Sequence, residues 1–163
     1  MYLLLITLGF CVVYGFLYLL FPLFFVDKLV PFRRRIFASL FYIIGFYFLI
    51  SFISINISDV NWANRFLHIF GGGFLSFAVC FLVVKDTKLH IGKFRFFTFS
   101  FLIVLSLGVA NEILEYVLQN FTELSFATTA SDTWLDLASN CIGALLAGMF
   151  FVPFIKTLKG SVD

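Results

Sequence analysis

In a sequence dominated by Leu, Phe, Ile and Val, a few ionisable residues fall inside or at the edge of apolar stretches: Arg65, His68, Glu112, Glu115, Asp132 and Asp136, with Asn140 beside them. Their spacing is regular. Glu112 and Glu115 are three positions apart, and Asp132, Asp136 and Asn140 follow one another at four, so on helices each set shares a face. A charge within a membrane helix costs about 2.5–3.5 kcal/mol on insertion scales, and it persists where it faces a bundle interior or a wet cavity. Helices carrying such stripes are expected to turn them toward one another. Two kinds of chemistry are then open to His68, Glu112, Glu115 and Asp136. Clustered carboxylates repel, so the group calls for a bound cation or a retained proton. Oxygen ligands suit a hard divalent ion such as Mg²⁺, Mn²⁺ or Ca²⁺, and a single imidazole also admits Zn²⁺ or Fe²⁺. Alternatively, His68 paired with a carboxylate does acid–base work. These four residues are the candidate catalytic or metal-binding set, and a divalent metal ion is the candidate cofactor. Arg65, one turn before His68, is placed to receive a phosphate or carboxylate, and it joins Asp132 and Asn140 as the candidate substrate-binding set.

Each of these residues also has a plainer reading. Asp132, after Ser131, would cap a helix. Asp136 would favour a helix dipole, and Asn140 would bond a neighbouring helix. Asp59 and Glu123 read as solvated loop charges, Tyr116 and Trp134 as interface anchors. Gly71, Gly72 and Gly73 remove side chains just past His68, which serves close helix approach or makes room for a substrate chain. Cys11, Cys80 and Cys141 lie in apolar segments without metal or disulfide spacing and read as small hydrophobes.

The elements that must position the polar set follow from composition. The 163 residues are 62% hydrophobic and 12% charged, against roughly 25% charged in a soluble domain. Such a chain cannot cover its apolar surface in water. A spanning helix needs about 20 mainly apolar residues, and five stretches qualify: 2–26, 36–57, 66–84, 96–118 and 133–155. Lipid admits only helices and closed barrels, and these runs lack the alternation of barrel strands. The expected fold is all-α, a polytopic bundle of five transmembrane helices forming a single membrane domain over residues 1–163. Short links, 27–35, 58–65 and 85–95, make neighbours antiparallel; the fourth, 119–132, is the longest. The N-terminal run lacks the basic start and small-residue end of a signal peptide and is expected to be a retained helix.

Charge sets the expected orientation. Lys28, Arg33, Arg34, Arg35, Lys85, Lys88, Lys93, Arg95, Lys156 and Lys159 fall on one side of such a bundle, and Arg65 alone on the other. The positive-inside rule puts the N-terminus outside and the C-terminus in the cytoplasm. Topology accounts for the basic residues, so nucleic acid is not an expected partner. His68, Glu112, Glu115, Asp136 and Asn140 then share one depth near the outer face. The Asn120-Phe121-Thr122 sequon on that side matters only in a eukaryotic host, and a bacterial one is expected; the high Phe content reads as an AT-rich genome favouring Phe codons.

Three runs carry a family likeness: NRFLHIFGGGFLS, NEILEYVLQ and SDTWLDLASNCIGALLAG. Together, over residues 62–150, they resemble the VanZ-like membrane proteins. There a His opens one helix, and a Glu-containing helix end, a loop and an Asp-x₃-Asn-x₂-Gly helix follow. His68, Glu112 with Glu115, Asp136, Asn140 and Gly143 stand in those places. The NEILEY and DTWLD pieces look closer still to a related inner-membrane group, the YjdF-type proteins. The resemblance implies a bacterial inner-membrane protein in a cell-envelope setting of the glycopeptide-resistance kind, with a membrane lipid or lipid-linked envelope molecule as partner; it implies no particular reaction. Three roles remain open: an enzyme using the polar set, a small transporter or flippase that couples ions or protons, and an accessory subunit whose polar residues fix helix packing. Five helices without an inverted repeat are few for a transporter, which makes a homo-oligomer the expected form under that reading.

Overall fold

The computed structural model describes residues 2–27, 30–31, 34–121 and 130–156, with side chains in the first helix from residue 6 onward. Lys28, Arg33, Thr122, Glu123 and Lys159 lie outside the described residues. The elements are α1 (Tyr2–Val26), α2 (Arg35–Ile55), α3 (Val60–Phe66), a π-helical segment (Leu67–Phe74), α4 (Leu75–Thr87), α5 (Lys93–Phe121) and α6 (Ala130–Phe151), which tightens into a 3₁₀ turn at Val152–Phe154. α3, the π segment and α4 run on without a break as one span from Val60 to Thr87. The described residues therefore form an all-helical membrane protein, with five helices among them long and apolar enough to cross a bilayer.

The third span is the most enclosed of the five, and the other four pack around it. Its α4 part is apolar on almost every side, with Leu75, Phe77, Val79, Cys80 and Val83 nearly inaccessible. A helix that is hydrophobic all round belongs at the centre. The outer helices instead leave one face to lipid, as Phe37, Phe41, Phe48 and Phe52 on α2 illustrate. Aromatic rings fill the gaps between helices: Phe81 stacks on Phe151 at 4.8 Å, and Phe77 meets Phe96 edge-on at 5.6 Å. α1 and α5 meet at one end, where Phe99 packs against Phe24 at 4.5 Å and Phe25 at 5.0 Å, and an apolar groove lined by Phe16, Leu20, Phe99 and Ile103 runs between them.

Asp59 is exposed in the link as expected, and it also caps α3, its carboxylate accepting from the backbone N–H of Asn61 at 2.9 Å and of Trp62 at 3.1 Å. Two expectations about the ends of helices need correction. The third span starts at Val60, so Arg65 belongs to a helix and not to a link. Asp132 is not the cap of the last helix. α6 begins at Ala130, which places Asp132 in the first turn with its side chain turned toward α3. An exposed cap at Asp59 lets the third span begin a full turn earlier, and that extra turn is what carries Arg65 into the bundle.

Candidate functional site

The π segment is the local feature that builds the site. Around Gly71-Gly72-Gly73 the backbone widens to i→i+5 bonding, and the N–H of Leu75 donates to the carbonyl of Phe70. Glycines tolerate this geometry and also let α6 approach closely. A Cβ at Gly73 would overlap the backbone carbonyl of Asn140, and one at Gly143 would overlap the carbonyl of Ile69. The two backbones therefore meet at a pair of glycines, and side chains one and two turns above that crossing are forced together. Those side chains are His68 on the π segment and Asp136 and Asn140 on α6.

Asp136 is the hub. Its Oδ1 accepts from Asn64 Nδ2 at 3.0 Å, forms an ion pair with Arg65 Nη1, and lies 3.4 Å from His68 Nε2. Arg65 bridges two turns of α6: Nη2 is 3.1 Å from Asp132 Oδ1, and Nη1 also donates to the Asp132 carbonyl at 3.3 Å. Asp136 is 3% exposed, so removing it from water is costly and the guanidinium is what compensates. Arg65, expected to hold an anionic ligand, instead has both terminal nitrogens engaged by α6.

α5 supplies the third wall. Phe96, Ser100, Val104, Gly108 and Glu112 recur at four-residue steps and form its buried face, which puts the Glu112 carboxylate opposite α6. One ligand atom each from His68, Glu112 and Asp136 lies within 4.8 Å of the others. Glu112 Oε1 is buried without a hydrogen-bond partner, and so is Asn140 Oδ1, one turn deeper against Gly72. Buried polar atoms without partners are rare and each calls for an explanation. Glu115 does not join this trio. Its Oε1 accepts from Asn111 Nδ2 at 2.8 Å, one turn back on its own helix, and it stands to one side half-buried. Beside the trio, Arg65 and Asp132 also line an open cleft of about 390 Å³, together with Asp59, Asn61, Trp62 and Leu135. In charge, the site sets four carboxylates and an imidazole against one guanidinium.

Asn64, Asn111 and the π segment were not among the sequence expectations. The run NWANRFLH carries its polar residues at helical spacing, and Asn64 and His68 share a face by the same four-residue step as Asp132 and Asp136. A second polar centre was also missed. At the opposite end of the third span, Asp86 Oδ2 accepts from Tyr14 Oη at 2.6 Å and from Ser39 Oγ at 2.5 Å, joining α1, α2 and α4 in a buried cluster. Asp86 lies between Lys85 and Lys88 in a stretch that reads as a link, and single Tyr and Ser residues in apolar helices give no spacing to detect.

No curated protein and no solved structure matches this chain. A family model described as "Predicted membrane protein (DUF2238)" matches residues 1–157. That span is nearly the whole sequence and takes in every helix described above, so the chain belongs to the DUF2238 family of predicted membrane proteins.

Proposed function

We propose that this protein is a bacterial inner-membrane protein whose polar site opens to the outer face and takes the head of a cell-envelope lipid or lipid-linked molecule. The observation that carries this reading is the convergence of His68, Glu112 and Asp136 from three spans at one level, with Glu112 Oε1 left unpaired. Isolated helix-packing polar groups would satisfy one another. Here the Arg65–Asp132–Asp136 set is satisfied and Glu112 Oε1 is not. His68, Glu112 and Asp136 are the working groups, Arg65 and Asp132 line the cleft beside them, Asn140 forms the floor, and Glu115 flanks the site. The VanZ-like resemblance over residues 62–150 supports an envelope setting. The cleft's aromatic and aliphatic rim, Trp62 and Leu135, suits a molecule that keeps its chains in the bilayer.

The test is to reconstitute the purified protein with envelope lipid extracts and follow lipid retention and chemical conversion by mass spectrometry. Wild type should retain or convert a lipid class that Glu112→Gln and His68→Ala do not. Equal behaviour of wild type and both variants would overturn the reading.

A second reading is favoured by one observation, the Asp86–Tyr14–Ser39 centre at the far end of the helix that carries His68. Buried carboxylates near both ends of one span suit a carrier that couples protons or ions to movement. Ion-dependent flux in liposomes, with every lipid chemically unchanged, would select it.

A further inference from the structure

The proposed lipid reading leaves an electrostatic problem. Envelope lipids and lipid-linked carriers are commonly phosphates, and the site would repel one. Arg65, its guanidinium among the described residues, is already bound to Asp132 and Asp136, while Glu112 and Asp136 offer oxygens within 4.8 Å of each other. We propose that the site holds a divalent cation on His68, Glu112 and Asp136, and that this ion both offsets the carboxylates and receives the phosphate of the ligand. The second half of that statement rests on the lipid reading; the cation site stands without it.

Geometry supports the ion. Two ligands on opposite sides of a single cation lie about 4.2 Å apart at magnesium-type bond lengths and about 4.8 Å apart at calcium-type lengths. The three ligand atoms fall within 4.8 Å of one another, the spread that ligands of one ion keep. Asp136 Oδ1 carries the bonds to Asn64 and Arg65. Arg65 and Asn64 then act as the outer partners that orient a ligating carboxylate. A buried atom points to the same place: Glu112 is 8% exposed and its Oε1 has no hydrogen-bond partner. A carboxylate oxygen accepts only, which is what a cation or its bound water requires. One nitrogen among oxygen ligands fits Mn²⁺ and its neighbours better than Ca²⁺.

The experiment uses the full chain purified in lipid-free detergent, titrated with Mn²⁺ and read by loss of the free-ion electron paramagnetic resonance signal. Wild type should bind one Mn²⁺ saturably. Glu112→Gln should weaken binding by about 30-fold or more, whereas Glu115→Gln, outside the trio, should stay within about threefold of wild type. If Glu112→Gln fails to fold, as judged by helicity and gel filtration, His68→Gln serves in its place. The absence of saturable binding by wild type up to about 1 mM Mn²⁺, or binding by folded Glu112→Gln equal to wild type, overturns the proposal. No lipid is present in this assay, so its failure leaves the lipid reading to its own test, and a failed lipid assay leaves a bound ion in place.

Discussion

Asp136 and Arg65 illustrate how a polar site survives in an apolar bundle. Each is costly alone, and each is held by several partners: the carboxylate by Arg65, Asn64 and His68, the guanidinium by two aspartates on successive turns. Breaking one partner of a buried pair leaves the other uncompensated, at a cost of about 3–5 kcal/mol. Arg65→Ala should accordingly lower unfolding stability in micelles by that amount, read from denaturant titration followed by circular dichroism. Asp132→Asn should cost no more than about 1 kcal/mol, because that carboxylate is 27% exposed and its pair resembles a surface one. Equal effects of the two substitutions would contradict the assignment of Asp136 as the hub. The types and spacing of these residues were legible in the sequence, since four-residue steps fix a face. Their pairing was not: nothing in the order of residues says that Arg65 turns to α6 and not to a ligand, because that choice depends on the third span beginning at Val60.

At the scale of elements, the crossing of the π segment with α6 sets every distance in the site. Gly73 and Gly143 stand where backbones touch, whereas a Cβ at Gly71 would meet the Tyr47 ring at 3.5 Å and Ile50 at 3.8 Å, both ordinary contacts. Overpacking of a close contact costs about 1–3 kcal/mol, so Gly73→Ala and Gly143→Ala should each be destabilised by that much. Gly71→Ala should be neutral or stabilised by up to about 1 kcal/mol, the helix-propensity gain of Ala over Gly. The same unfolding assay checks both, and a destabilised Gly71→Ala beside a stable Gly73→Ala would refute the crossing. Helix existence was readable from hydrophobic length, and the small residues Gly143, Ala144, Ala147 and Gly148 form part of the buried face of α6. The widened backbone from Leu67 to Phe74 was not readable, because its cause is the partner helix and not a local propensity. The Asp86 centre makes a parallel point. Tyr14 and Ser39 donate to the same oxygen, and a hydrogen bond to a charged group is worth about 1.5–3 kcal/mol. Tyr14→Phe and Ser39→Ala should each lose stability in that range, and the double variant should lose more than the two together, since Oδ2 is then left bare.

Over the whole molecule, an enclosed third span carries a polar centre near each end, with the basic residues gathered at the Asp86 end and the open cleft at the other. The charge asymmetry predicts that the cleft faces away from the cytoplasm. With the three native cysteines replaced, Asn61→Cys should react with an impermeant thiol reagent added to intact cells, and Lys93→Cys only after permeabilisation; the reverse pattern would invert the orientation. Fold class was legible because lipid leaves the backbone few options, whereas the ligand was not, since the same acceptor oxygens serve a cation, a proton or a bound head group. The account depends above all on His68, Glu112 and Asp136 forming one centre. An experimental structure in lipid, determined with Mn²⁺ present and at a resolution that shows ions, tests this most directly. We expect a density peak at about 2–2.6 Å from one atom of each of the three residues, with Arg65 still joined to Asp132 and Asp136. Glu112 turned away toward lipid or open solvent, with nothing bound between His68 and Asp136, would contradict it.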